Sequence, residues 1–382
     1  MAKHTVGILC TAISGPVFAL QLLTHPILRQ RYRPILFEQL SPSSKQSTRS
    51  KEPSKTAVIH TAGAGVGLFP NGLFPLCQLG LRPELEEISC EMNDVEVWRG
   101  TLSGDHKYYN SMKNAGWDAE LQTCPRIVER QRLRDLLLSR IKEMGGEISW
   151  EKKVREVRSA EHGHVQVEFE DGATTTVDLL VGADGAWSPT RKYVLEQRDK
   201  KAADKRWPAA YTGVAGVYGI SSGPNIAANI PRNEEGHYKA ILVYLDQGNI
   251  GALPLEDGKI AWTLHVPEQI APEISSPIWP SVSEDSDALA VKLVPGVFEP
   301  SYTMKILREH QNIFHPELGS FKEMFESSER IIHSPLRQQV WSEDEIHYGN
   351  TVLLGDAARV MPPYTGQGES IYGQFKVFER MR

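Results

Sequence analysis

Apolar positions fall in short runs that end on a glycine or an acid, and those runs set out the expected elements. His4 to Cys10 alternates weakly and then runs apolar, the pattern of a buried first strand. Ser14-Gly15-Pro16 follows, with proline where it suits the first turn of a helix. Phe18, Leu20, Leu22 and Leu23 then predict an apolar helix running towards Arg29, and Pro34 to Phe37 a second short strand ending on Glu38. Strand, turn, helix, strand and acid make a βαβ unit.

Further on, Leu133, Leu136, Leu137 and Ile141 recur at helical spacing within Ile127 to Ile141, with Arg130 at the helix start. Gly145 to Val154 predicts a strand, Val165 to Phe169 with Asp171-Gly172 a hairpin edge, and Thr176 to Val181 another buried strand. That strand delivers Gly182-Ala183-Asp184-Gly185, with Arg191 a few residues on. From about Lys192 to Trp341 the texture changes, and alternation at Tyr211 to Gly219, Lys239 to Leu245 and Lys259 to His265 predicts an antiparallel sheet. Its aromatics (Tyr211, Tyr218, Tyr238, Tyr244, Trp262) suit a sheet core more often than a ligand wall. Leu289 to Val297 and Pro316 to Phe325 predict helices, and Pro277 to Ser286 a surface loop. Thr351 to Leu354 is a last buried strand, feeding Gly355-Asp356-Ala357-Ala358-Arg359 and then Gly366-Gln367-Gly368 at the start of a helix.

Composition narrows the class. The chain has 382 residues, 40% of them hydrophobic, enough for one large core or two domains. Its net charge of -6 gives no reason to expect nucleic acid or an anionic membrane as partner. The four cysteines, Cys10, Cys77, Cys90 and Cys124, lack CxxC pairing and metal-ligand spacing, which predicts reduced thiols. No signal peptide and no membrane span are read from the sequence, since no apolar run approaches the ~18 residues a span needs. The expectation is a cytoplasmic protein.

Three stretches carry candidate chemistry. The first turn should read G-x-G-x-x-G for a dinucleotide, but it reads Cys10-Thr11-Ala12-Ile13-Ser14-Gly15, so only the last glycine is present. Glu38 stands at about the ~20-residue distance expected of a ribose-binding acid. After Ser41 to Thr56, a polar segment suited to a solvated loop, Gly63-Ala64-Gly65-Val66-Gly67 spaces glycines so that backbone lies close to a ligand or a neighbouring strand. At Gly355 to Gly368 a carboxylate, bare amides and a helix start would meet a ligand rich in hydroxyls and phosphate. Ordinary loop connections compete with all three readings. His162 and His164 are expected to be solvated, and no metal site is expected.

Taken in order, these motifs resemble the group A FAD-dependent monooxygenases, the para-hydroxybenzoate hydroxylase-like fold. More narrowly, they are similar to the salicylate hydroxylase-like enzymes of fungal natural-product pathways, over nearly the whole chain to about Ile371. The resemblance implies an α/β fold, with an FAD-binding doubly wound domain over 1–75, 100–191 and 342–382. It implies a second, mostly antiparallel β-sheet substrate domain over 76–99 and 192–341. It implies that Gly15 opens the helix facing the FAD pyrophosphate and that Glu38 holds the adenosine ribose. Gly63, Ala64 and Gly65 would pass the isoalloxazine ring, and Arg130 would lie near the phosphate and ribityl region. Asp184 and Gly185 would serve FAD pyrophosphate and NAD(P)H, Asp356 the ribityl chain, and Gly366, Gln367 and Gly368 the flavin's pyrimidine edge. The implied chemistry is hydroxylation or epoxidation of an aromatic, polyketide or terpenoid natural product with NAD(P)H and O2, through a flavin C4a-hydroperoxide. No catalytic side chain is assigned. Arg359 stands where the family has His; Cys10 and Ala12 in place of glycines, with an early C-terminus after a likeness that fades beyond Ile371, imply the alternative of a catalytically silent flavoprotein homologue.

Overall fold

The structure is a computed structural model that describes residues 2–41, 64–268, 293 and 297–362. Its first sheet has the spatial order β20 (His347–Tyr348), β21 (Thr351–Leu353), β12 (Leu179–Gly182), β1 (His4–Leu9), β2 (Tyr32–Phe37), β8 (Glu147–Ser149). Every neighbouring pair is parallel except the β20–β21 hairpin. Helix α1 (Ser14–Thr24) returns from β1 to β2 and buries Val17, Phe18, Leu20 and Leu22. Those side chains pack with Val6 and Ile8 of β1 and with Leu133, Leu137 and Ile141 of α2 (Arg130–Glu143). Because β2 lies on one side of β1 and β12 on the other, the strand order reverses at β1. Open parallel sheets form a crevice at that place, outside the carboxyl ends of their strands.

The second large sheet runs β22 (Arg359–Val360), β19 (Ser328–Val340), β13 (Ala210–Ser221), β16 (Lys259–Pro267), β15 (Asn249–Leu255), β14 (Lys239–Tyr244), β5 (Asp94–Gly100), β6 (His106–Met112). It is antiparallel throughout apart from the β14–β5 pair. One face packs Trp262, Leu264 and Ile331 against Leu307 of α4 (Pro300–His310) and Phe321 and Phe325 of α5 (Phe321–Glu326). On the other face, Ile220, Leu255 and Ala261 meet Ile127. Ile127 belongs to a small sheet of β3 (Gly65–Leu68), β7 (Arg126–Glu129) and β4 (Ser89–Glu91). Two minor sheets, β9–β10–β11 (Val154–Ser159, Val165–Phe169, Thr174–Val177) and β17–β18 (Phe314–His315, Gly319–Ser320), complete the described strands. The architecture is the expected α/β one, a doubly wound part and a mostly antiparallel second sheet.

Three elements differ from the reading of the chain, and one of them, the strand expected over Gly145 to Val154, spans only Glu147–Ser149. The strand expected over Thr176 to Val181 is two, divided at Asp178, whose backbone N–H bonds Thr5 O (3.0 Å) while its carboxylate accepts from Thr5 N (2.6 Å). There the chain leaves one sheet for the other. The helix expected over Pro316 to Phe325 begins only at Phe321, because Gly319 turns with φ +77° to close the β17–β18 ribbon. Apart from Leu293 and Val297, the helix expected over Leu289 to Val297 lies outside the described residues, as do most of Ser41 to Thr56 and all of Pro277 to Ser286.

Candidate functional site

Registry gathers the chemistry. Phe37, Leu9, Gly182 and Leu353 are partners in one row across four parallel strands. The residues one to three places beyond that row are Glu38, Cys10, Asp184 and Asp356, along one edge of the sheet beside the crevice. Gly15 stands where α1 turns back, so tightly that a β-carbon there would strike the carbonyl of Cys10. Gly355 is held with φ +55°, and a β-carbon on it would strike the Ser14 hydroxyl. No side chain caps the first turn of α1, which leaves its amides for an anion.

The two acid–glycine turns are tied to each other. Asp184 accepts from the hydroxyls of Ser188 and Thr190 (2.8 Å to the latter) and from Thr190 N (3.1 Å) at the start of α3 (Pro189–Glu196). Desolvation nevertheless pushes its carboxyl above the ordinary range, against those bonds. Gly185 is left-handed at φ +78° with open space around it. Arg191, fully buried, donates to the carbonyls of Ala186, Asp356 (3.3 Å) and Ala357 (3.5 Å) and lies 5.4 Å from the Trp341 ring centre. Burial lowers its guanidinium to about 10, with Asp184 and Asp356 opposing. One buried cation therefore laces both turns together through their backbones.

Asp356 is exposed in area, yet desolvation pushes its carboxyl up to about 6, with Arg130 and Arg191 drawing it back down. Both observations hold for a group on the wall of a recess, which water reaches but which protein crowds on several sides. Among the described residues no hydrogen bond reaches the Asp356 carboxylate, and the Arg130 guanidinium makes neither a hydrogen bond nor an ion pair. The Arg130 backbone is fixed by an N–H bond to Ala64 O (3.1 Å). Ala64 leads into β3, where a β-carbon on Gly65 would come 2.6 Å from Ala261 Cβ of the large sheet. Glu38, 5% exposed, is already engaged: Oε2 takes the Thr11 hydroxyl, Thr11 N (3.2 Å) and the Arg134 guanidinium (3.6 Å), and Oε1 takes Leu40 N (3.1 Å).

So the structure brings Gly15, Glu38, Arg130, Asp184, Gly185 and Asp356 to one edge, with Ala64 and Gly65 beside Arg130. Gly63, Gly366, Gln367 and Gly368 lie outside the described residues. Sequence reasoning missed the parts played by Thr11, Arg134 and Arg191. For Arg134 a signal existed, since it lies one helical turn beyond Arg130 on the same face. Trp262 is core: it packs edge-on to Phe321 (5.1 Å) and donates Nε1–H to the Ser328 hydroxyl (2.9 Å).

No family model matches the chain. It is 28% identical over 324 residues to the FAD-dependent monooxygenase penE of Penicillium thymicola, covering 82% of this chain and 60% of that protein. It is 27% identical over 263 residues to the FAD-dependent monooxygenase thnD of Trichoderma harzianum, covering 66% and 56%. The chain thus spans about 60% of the length of the curated relatives it matches. In fold it matches Klebsiella pneumoniae HpxO, solved with FAD and uric acid, at TM-score 0.66 and 18% identity over 96% of this chain and 76% of that one. It also matches 2,6-dihydroxypyridine-3-hydroxylase from Arthrobacter nicotinovorans at TM-score 0.63 and 16% identity, over 97% and 81%. In sequence and in fold the chain is similar to the group A FAD-dependent monooxygenases, and its curated relatives are fungal.

Proposed function

We propose that the chain is an FAD-dependent monooxygenase that uses NAD(P)H and O2 to hydroxylate or epoxidise an aromatic, polyketide or terpenoid natural product. The observation that carries this reading is the lacing of the Asp184 and Asp356 turns by Arg191 at the reversal of strand order, beside an Arg130 guanidinium that pairs with no described residue. The residues fit a flavin dinucleotide. Arg130 offers a full positive charge to phosphate, α1 its uncapped amides, and Asp356 an unfilled acceptor for a ribityl hydroxyl. Gly15 keeps the turn tight enough for the pyrophosphate, and Glu38 retains one acceptor position on Oε1 for ribose. Asp184 builds the turn that presents Gly185. Ala64 and Gly65 carry the strand between the crevice and the large sheet, and that sheet supplies the substrate side.

Bound there, FAD would supply the redox chemistry, hydride acceptance from NAD(P)H and activation of O2. The protein's own part is to orient the substrate and to keep water from the reacting atoms. A hydroxyl donating to Asp356, and Arg130 pairing with phosphate, would hold the cofactor in the crevice. The second reading, a flavoprotein without turnover, is favoured by Cys10 in a glycine's place.

Spectroscopy and isotope labelling test the reading. Purified protein supplied with FAD is expected to retain a flavin absorbance band, to oxidise NAD(P)H faster with an aromatic effector present, and to place oxygen-18 from O2 in product. Retained flavin with no NAD(P)H oxidation across an aromatic panel would establish the silent homologue, and no retained flavin would overturn both.

A further inference from the structure

Cys10 has a glycine's backbone and a side chain turned inward on its own turn. Its φ is +93°, outside the regions open to most L-residues. It is held there from both sides: its N–H bonds Phe37 O (2.9 Å), and its carbonyl lies against Gly15. The backbone cannot rotate the β-carbon away, so only Sγ has freedom. That sulfur accepts the N–H of Ala12 at 3.3 Å. Ala12 occupies the second glycine position of the dinucleotide turn, where the backbone has to approach the pyrophosphate closely.

We propose that the Cys10 thiol is an internal competitor for the dinucleotide pyrophosphate: it holds the Ala12 amide, and it must rotate off that amide before phosphate oxygen takes its place. The inference rests on the FAD reading above and concerns how tightly that site fills. The rest of the phosphate site stands open, with uncapped α1 amides and an Arg130 guanidinium that pairs with no described residue. Burial and the nearby Glu38 push the thiol up to about 12, so it stays neutral and is a weak acceptor. A phosphate oxygen therefore displaces it, at a loss in affinity about equal to one ordinary hydrogen bond. Cys10 on this account is an affinity-setting residue and takes no part in the chemistry.

Equilibrium titration of flavin-free wild type, Cys10→Gly and Cys10→Ala tests this with three ligands. FAD and riboflavin are followed by flavin fluorescence, and ADP by calorimetry. Expected is about tenfold tighter binding of FAD and of ADP by Cys10→Gly. A gain of about the same size is expected for Cys10→Ala, which keeps the β-carbon and loses the sulfur, and none for riboflavin, which lacks the pyrophosphate. Cys10→Ala alone decides the matter if Cys10→Gly does not fold. Equal FAD and ADP affinities in wild type and variants, or an equal gain for riboflavin, would overturn the competitor while leaving the FAD reading intact. Folded wild type and variants that all fail to bind FAD and ADP would remove the FAD reading itself, and this inference with it.

Discussion

Asp356 is poised to lose a proton only near neutrality, and that has a measurable cost in the flavin-free protein. Its folded value, about 6, stands above the ordinary 3.8, so between those values the folded chain holds a proton that the unfolded chain has released. Stability from this group is complete below the lower value and is lost as pH rises through the upper one. Asp356→Asn is therefore expected to raise the melting temperature of flavin-free protein at pH 7.5, with the gain shrinking towards pH 4, while FAD affinity falls. A gain of the same size at both pH values would show that the carboxyl charge is not its source. Cys10 stands in contrast. In the sequence it reads only as a missing glycine, because neither its left-handed φ nor the sulfur's bond to Ala12 leaves any trace in residue order.

At the scale of elements, Arg191 is the piece on which the site's geometry depends. Removing it leaves three backbone carbonyls, those of Ala186, Asp356 and Ala357, without their donor. Burying an acceptor without a partner costs about 1–3 kcal/mol, so Arg191→Ala is expected to lower urea-unfolding stability by several kcal/mol. Arg191→Lys should recover little of it, because an ammonium cannot reach three carbonyls in the guanidinium's fork. FAD affinity should fall with both variants; unchanged affinity would mean that the two turns hold their shape without the cation.

The strands and turns themselves were readable. The apolar runs at His4, Pro34 and Thr351 do lie in one sheet, with β12 between the first and the last, and α2 starts at Arg130 as its spacing implied. What the sequence could not carry was pairing at a distance. Asp178 looks like an ordinary strand residue until Thr5, 173 positions away, supplies both of its backbone-side partners. Thr11 and Arg134 look uncommitted until they bond each other and share the Glu38 carboxylate.

Across the whole molecule, polar links join the region of β7 and α2 to the large sheet. One is the Arg330 guanidinium of β19 on the Glu129 carboxylate at the end of β7 (2.6 Å), a half-buried pair. Glu129 directly precedes Arg130, so this link bears on where the Arg130 guanidinium points. A double-mutant cycle with Glu129→Gln and Arg330→Gln is expected to give a coupling of about 1 kcal/mol in stability. FAD affinity should be lower in each single variant, and a coupling near zero would place the link outside the site's support.

The order of strands in the first sheet has a consequence for how the protein is made. β1 pairs with β2 close by, but its other neighbour, β12, lies about 170 residues downstream, and β21 follows β12 by about as much again. During synthesis the ribosome therefore carries a growing sheet whose β12 edge has no partner until the Thr351 strand has emerged. Asp356 follows directly on that strand. A nascent chain therefore has Glu38, Cys10 and Asp184 along this edge well before Asp356, and the row closes only when β21 pairs with β12.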